Sequence, residues 1–178
     1  PTKSHTSGST GTPMHFLLDK YTNILEFASL WRVLNWTGYR FGDKYASLHG
    51  RIIKNDKLFE YDWRTNCLHL SSFNFKDENI KIYDQKIKLF KPKIIKAYPS
   101  SITLFSQWLK ESNIEPYQPK AIVTSSESLL DHHREIIKQV YDCPIHDFYG
   151  QNERAALIST CPNGIYHIHQ EYSHVEII

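Results

Sequence analysis

The run Thr6-Ser7-Gly8-Ser9-Thr10-Gly11-Thr12-Pro13 concentrates hydroxyls and glycine amides in one short segment. Such groups can surround a polyphosphate, because glycine permits the backbone conformations that turn several N–H groups inward. The run is not a Walker loop, since no Gly-Lys-Ser/Thr follows, and it does not match the Gly-x-Gly-x-x-Gly dinucleotide pattern. As bare composition it reads better as a flexible linker. Far downstream, Tyr149-Gly150-Gln151-Asn152-Glu153 joins an aromatic ring to a carboxylate. A carboxylate oxygen suits Mg²⁺, a hard cation; the plain alternative is a core aromatic followed by a solvated acid. Between the two lies Thr124-Ser125-Ser126-Glu127-Ser128-Leu129, in which Ser126 or Ser128 can cap a helix beginning at Leu129. Cys161 and His167, with His169 nearby, have zinc-binding chemistry, although a structural zinc site usually takes four ligands. His132-His133 reads as a polar helix face, and Cys67 and Cys143 as small core residues.

These groups need a scaffold, and the apolar periodicity supplies one. Leu17 to Trp36 carries apolar residues at three- and four-residue steps, the mark of a helix face, closed by Gly38. Tyr45–Leu48 and Cys67–Leu70 are short apolar runs between turn residues and are expected to be strands. Asp77 is expected to cap a helix running to Phe90, ended by Pro92. Then the order alternates: a strand at Ile94–Tyr98, a helix to Leu109, a strand at Ala121–Val123, a helix at Leu129–Tyr141, a strand at Ile145–Tyr149. Alternation of this kind predicts an α/β fold with a mostly parallel sheet flanked by helices. Ligands in such sheets sit beyond the carboxyl ends of the strands. Pro99-Ser100-Ser101, Thr124 to Glu127 and Gly150 to Glu153 are therefore the segments to watch. Ala155–Ile158 and Val175–Ile178, around the turn Pro162-Asn163-Gly164, read as β-structure at the C-terminal end. The polar run Pro1 to Thr12 has no apolar element, so the strand that normally anchors a phosphate loop is expected to be missing and the chain to be an internal piece.

Composition bounds the function. With 178 residues, 40% hydrophobic and 22% charged, the chain is expected to form one globular domain. Lys and Arg total 21 against 19 for Asp and Glu, which gives no reason to expect a nucleic-acid surface. The stretch Lys86 to Lys96 is interrupted by Ile87, Leu89, Phe90, Ile94 and Ile95, and reads as a solvated helix face running into a buried strand. No apolar run approaches the roughly 20 residues of a membrane span. Three widely separated cysteines fit a reducing compartment, so a cytoplasmic location is expected.

The order Thr-Ser-Gly-Ser-Thr-Gly-Thr-Pro at Thr6–Pro13 resembles the phosphate loop of the adenylate-forming superfamily, which includes acyl-CoA and aryl-CoA ligases, luciferases and peptide-synthetase adenylation domains. Asp147-Phe148-Tyr149-Gly150-Gln151-Asn152-Glu153 is similar to its Tyr-Gly-x-x-Glu element, and Thr124 to Leu129 to its adenine-bordering segment. Trp31-Arg32, Gly42-Asp43, Asn66-Cys67-Leu68, Lys91-Pro92, Tyr98-Pro99-Ser100-Ser101 and Cys161-Pro162-Asn163-Gly164-Ile165-Tyr166-His167 resemble the phenylacetate–CoA ligase family and its capsular-polysaccharide CapK-like branch. One position departs from the pattern: Met14 stands where many members place Lys.

The resemblance implies a fragment, residues 1–178, of the large N-terminal AMP-binding domain. It implies that a carboxylate attacks the α-phosphate of ATP to give an acyl-adenylate, from which CoA displaces AMP. Ser7, Gly8, Ser9, Thr10, Gly11 and Thr12 would hold the phosphates, with Thr10 and Glu153 the catalytic pair and Glu153 the Mg²⁺ ligand. Glu127, Tyr149 and Gly150 would border the adenosine, and Tyr98 would either line the acyl pocket or pack as a core aromatic. Cys161 and His167 would contribute to a structural zinc site completed by a further Cys pair downstream. The ribose-gripping acid, the hinge and the small C-terminal domain with its Lys lie beyond Ile178 in the family pattern, so the isolated chain is expected to be inactive. The rival expectation is a catalytically silent nucleotide-binding homologue with a scaffold role.

Overall fold

The computed structural model describes residues 1–6, 12–51, 53, 57–176 and 178, and the structural statements below concern these. The chain opens with an antiparallel hairpin of β1 (Thr2–His5) and β2 (His15–Leu18), in register from Thr2 opposite Leu18 to His5 opposite His15. A strand therefore does precede the hydroxyl-rich run, contrary to the expectation from its polarity. Its stability comes from main-chain pairing with β2, which an apolar pattern does not report. At the mouth of the hairpin, the Thr6 N–H donates to the Met14 carbonyl at 3.0 Å and the Met14 N–H donates to Thr6 Oγ1 at 3.0 Å.

Helix α1 (Lys20–Trp36) starts three residues later than its apolar pattern suggests, because Leu17 and Leu18 belong to β2 and Asp19 takes the cap. Asp19 Oδ1 accepts the Thr22 N–H at 2.6 Å, which satisfies one of the orphan donors of the first turn. Gly38, at φ +78°, turns the chain out of the helix.

The remaining strands are β3 (Tyr45–His49), β4 (Phe59–Asp62), β5 (Cys67–Ser71), β6 (Ile94–Ala97), β7 (Ala121–Ser125), β8 (Ile145–Gly150), β9 (Leu157–Thr160) and β10 (Tyr166–Ile168). They form one sheet in the order β10-β9-β8-β7-β6-β3-β5-β4. The five central strands are parallel, while β4, β9 and β10 add antiparallel edges. The mostly parallel α/β sheet read from the sequence is what forms, and the alternating half of the chain builds its centre. Strand β4, short and exposed at the edge, escaped the apolar pattern. The second C-terminal strand is Tyr166–Ile168 rather than Val175–Ile178, of which the described residues lie outside any strand. The turn at Gly164, φ +77°, brings Tyr166 opposite Thr160 and so fixes that pairing.

Helices α2 (Asp77–Phe90), α3 (Pro99–Glu111) and α4 (Asp131–Lys138) follow their strands. Asp77 is the first helical residue of α2 rather than its cap, and Lys91, at φ +53°, ends the helix before Pro92. Strand residues alternate between the two faces of a sheet, and the two faces here differ. Ala46, Leu48, Leu70, Ile95 and Ile122 point toward α2, α3 and α4 and pack with Tyr83, Phe105 and Ile137, all but free of solvent. Tyr45, Ile94, Ala121, Val123 and Phe148 point the other way, where Trp31 and Leu34 of α1 meet them.

Candidate functional site

Parallel strands end together, so the loops after β3, β6, β7 and β8 share one edge of the sheet. A cavity of about 420 Å³ opens there, lined by Ser126, Glu127, Asp147, Phe148, Tyr149 and Gly150 among others. Glu127, Tyr149 and Gly150, singled out from the sequence, thus lie around one space although they are 22 and 23 residues apart.

Each lining residue is held in a definable way. Ser126 adopts φ +70°, a left-handed conformation that swings the chain off the end of β7. Glu127 then reaches the start of α3, where its Oε2 accepts the Ser100 N–H at 3.0 Å. A carboxylate at a helix N-terminus meets unpaired N–H groups and the positive end of the helix dipole. The expected cap of α4 by Ser126 or Ser128 does not form: α4 begins at Asp131, and the Leu130 N–H donates to His133 Nδ1 at 3.3 Å. His133 is therefore engaged at the helix start rather than only part of a polar face.

Tyr149 is 53% exposed, so its ring is presented to solvent rather than packed in the core. Gln151 Nε2 donates to the Tyr149 hydroxyl at 2.6 Å, and Gln151 Oε1 accepts the Ala156 N–H at 3.0 Å, so this side chain ties the ring to the following turn. Beneath the cavity, buried Asp147 accepts from Thr124 Oγ1 at 2.6 Å and from the Tyr166 hydroxyl at 2.7 Å. The Asp147 N–H donates to Thr160 Oγ1 at 2.8 Å, and Arg134 Nη2 donates to the Tyr166 hydroxyl at 3.1 Å. Burial and the Asp147 carboxylate both raise the Tyr166 phenol above its ordinary value. Sequence reading found no role for Gln151, Tyr166 or Arg134. The partners of Gln151 are local, but Tyr166 and Arg134 reach Asp147 only because β9 pairs with both β8 and β10; the Asp preceding Phe148-Tyr149 was the one available signal.

Tyr98 stands at the end of β6, where its ring meets His49 edge-on with centroids 4.7 Å apart. Packing is close at Gly50, where a Cβ would lie 2.8 Å from the tip of the exposed Phe73 ring and 3.4 Å from Tyr98 Cε2, so a side chain there would displace Phe73. Burial, then the Lys96 and His69 charges, push His49 down to about 4, with Glu127 opposing them. Its Nδ1 lies 2.9 Å from Ser47 Oγ.

Glu153 is half-buried, three residues beyond Gly150, and makes no hydrogen bond or ion pair among the described residues. Ser7, Gly8, Ser9, Thr10 and Gly11 lie outside the described residues, while Thr12 is exposed after them. Cys161 and His167 share the β9–β10 hairpin, but His169 turns inward, its Nε2 2.7 Å from Ser159 Oγ. Among the described residues no group of three or more His, Cys, Asp or Glu side chains is arranged to hold a metal. Cys67 is buried, and burial pushes its thiol up to about 12, while Cys143 is pushed up to about 11 for the same reason. Both behave as inert interior thiols. No helix among the described residues is long and apolar enough to cross a membrane.

Parallel strands whose carboxyl ends carry the Tyr-Gly-x-x-Glu segment form a fold shared with acyl- and aryl-CoA ligases of known structure. The chain is similar to Protein CapK of Staphylococcus aureus: it is 30% identical over 168 residues, covering 91% of this chain and 37% of that protein. Among solved structures, a 2-hydroxyisobutyryl-CoA ligase in complex with 2-HIB-AMP and CoA shares the fold with a TM-score of 0.60. The likeness covers 94% of this chain and 40% of that one, at 15% identity. The anthranilate CoA ligase AuaEII in complex with anthranoyl-AMP matches with a TM-score of 0.57 at 21% identity, over 92% of this chain and 31% of that one. The chain thus spans well under half the length of the proteins it resembles. No protein-family model matches it.

Proposed function

We propose that this chain forms the nucleotide-facing part of an ATP-dependent acid–CoA ligase of the phenylacetate–CoA ligase type, acting in the cytoplasm on an aryl or acyl carboxylate. The observation that carries the reading is the cavity at the ends of β7 and β8, where Glu127, Tyr149 and Gly150 converge. Tyr149 presents a tethered, half-exposed ring on which an adenine can stack. Gly150 lets the ligand approach the main chain, since its position has only ordinary contacts from Leu157 and Ala156. Ser7, Gly8, Ser9, Thr10, Gly11 and Thr12 are assigned to the phosphates, and Thr10 and Glu153 to the catalytic pair. Tyr98, beside His49 at the end of β6, is assigned to the acyl pocket.

Glu153 fits Mg²⁺ by the chemistry of its donor, a partly exposed carboxylate with no partner among the described residues. When bound, the ion supplies charge neutralisation at the phosphates. The chain's own contribution is positional: it holds the nucleotide so that the substrate carboxylate reaches the α-phosphorus in line and needs no side-chain nucleophile. Donors fixed before the reaction cost no reorganisation as charge moves onto pyrophosphate.

Three measurements test this. ATP with Mg²⁺ raises the melting temperature of the full-length protein, and Tyr149→Ala weakens nucleotide affinity about ten-fold, the equivalent of 1.4 kcal/mol of lost stacking. Equal affinity in the variant and the native chain would sink the assignment. ATP–pyrophosphate exchange with a panel of carboxylates follows the first half-reaction; residues 1–178 alone are expected to show none. The reading of a silent nucleotide-binding scaffold rests on Met14 in place of the common Lys. It predicts nucleotide stabilisation without exchange in the full-length protein.

A further inference from the structure

The α1 side of the sheet holds a second cavity, of about 350 Å³, between α1 and strands β3 and β6. Its walls are largely apolar, with the aromatic rings of Trp31, Tyr39, Phe41 and Tyr45 among them. Two cations also line it: Lys96 at the floor, on the central strand β6, and exposed Arg64 at the rim. Lys96 is half-buried, and its Nζ lies 5.5 Å from the centre of the Tyr45 ring. Neither cation pairs with a carboxylate among the described residues, whereas Lys93, three residues before Lys96, is bonded to Asp43 at 2.6 Å. A partly buried ammonium without an anion is costly, and the ring face repays only part of its lost hydration. Burial accordingly lowers the Lys96 ammonium below its ordinary value, with only Cys67 opposing.

The cavity adjoins the candidate nucleotide site. Phe148 lines both spaces, and Tyr149 follows it directly. Along β6, Tyr98 stands two residues beyond Lys96 and carries the same side of the strand to the carboxyl edge. A molecule lying along β6 would therefore have one end near the nucleotide and the other at Lys96. The volume suits one aromatic ring with substituents, since an apolar cavity of about 150 Å³ already takes benzene.

We infer that the cavity binds the acid substrate, and that this substrate is an aromatic acid carrying a second anionic group, held by Lys96 and steered by Arg64 while the first carboxylate faces the nucleotide. The inference rests on the ligase reading for the direction of the reacting carboxylate. The ammonium supplies the counter-charge that the ligand's distal group needs, and the aromatic walls supply the stacking surface. An aromatic acid with a bare distal edge would instead leave Lys96 unpaired against it.

The test compares benzoate with terephthalate, which differ only by the distal carboxylate, by calorimetry on the full chain. Terephthalate is expected to bind at least ten-fold more tightly than benzoate. Lys96→Met should remove that preference, Lys96→Arg should keep most of it, and both should retain native ATP affinity. Equal binding of the two acids, or binding of neither, overturns the inference without recourse to any variant. So does a preference that survives Lys96→Met. Pyrophosphate exchange is read separately: selective, Lys96-dependent binding without exchange defeats the ligase reading and leaves the pocket standing. Exchange that ignores the distal carboxylate does the reverse.

Discussion

The two faces of the sheet obey the same alternation and put it to different uses. On the helix-covered face, Leu48, Leu70, Ile95 and Ile122 are closed over by α2, α3 and α4 with almost no solvent contact. On the α1 face, Ile94, Ala121 and Val123 are packed beneath α1, but Tyr45 and Lys96 line a cavity and His49 and His69 are only half-buried. A continuous apolar face can only be packed, because it has no group with which to select a ligand. A face that keeps cations and hydroxyls half-covered costs stability but retains groups that can bind. The contrast makes one face the support, and under the proposed function the other face, with the carboxyl edge, is the working surface.

The largest expected effect is on the supporting face. Phe105→Ala, at a residue 1% exposed between α3 and the sheet, should cost roughly 3–5 kcal/mol in chemical denaturation. A cost below about 1 kcal/mol would erase the distinction between the faces. Next comes Asp147, which links the packed face to the cavity floor: Asp147→Ala removes the carboxylate that accepts from the Thr124 and Tyr166 hydroxyls and should cost about 1–3 kcal/mol.

The working face should be visible in the pH dependence. Burial, then the Lys96 and His69 charges, hold His49 at about 4 against an ordinary 6.5. Between these values the unfolded chain binds the proton and the folded one does not, so stability falls as pH drops from 6.5 toward 4. The loss assigned to His49 is on the order of 1–3 kcal/mol. His49→Gln should flatten that limb relative to the native chain, and an unchanged slope would mean that the ring is hydrated. Smallest of all, Phe41→Ala, at an 88% exposed residue on the rim of the α1 cavity, should change stability by no more than about 0.5 kcal/mol. It should nevertheless weaken terephthalate binding measurably, the opposite of the Phe105 pattern.

The alternation of strand and helix from Ile94 to Tyr149 was legible because each element buries an apolar stripe of its own period. Local spacing also carried Glu127, Tyr149 and Gly150, since residues at strand ends in a parallel sheet share an edge wherever they fall in the chain. Strand β1 and strand β4 were not legible, as their own short sequences, Thr-Lys-Ser-His and Phe-Glu-Tyr-Asp, carry too few apolar residues to leave a trace. Lys96 shows the limit best. The basic stretch Lys86 to Lys96 reads as a solvated helix face running into a buried strand, which places Lys96 on that strand but does not reveal what surrounds its ammonium. The sequence by itself determined the order of elements and the residues at the carboxyl edge, which depend on periodicity and turn chemistry. Only the tertiary structure decided that Lys96 lies against Tyr45 in a cavity, and that Tyr166 and Arg134 support Asp147. Burial and charge pairing are set by strands and helices brought together across the sheet, and no local pattern encodes that proximity.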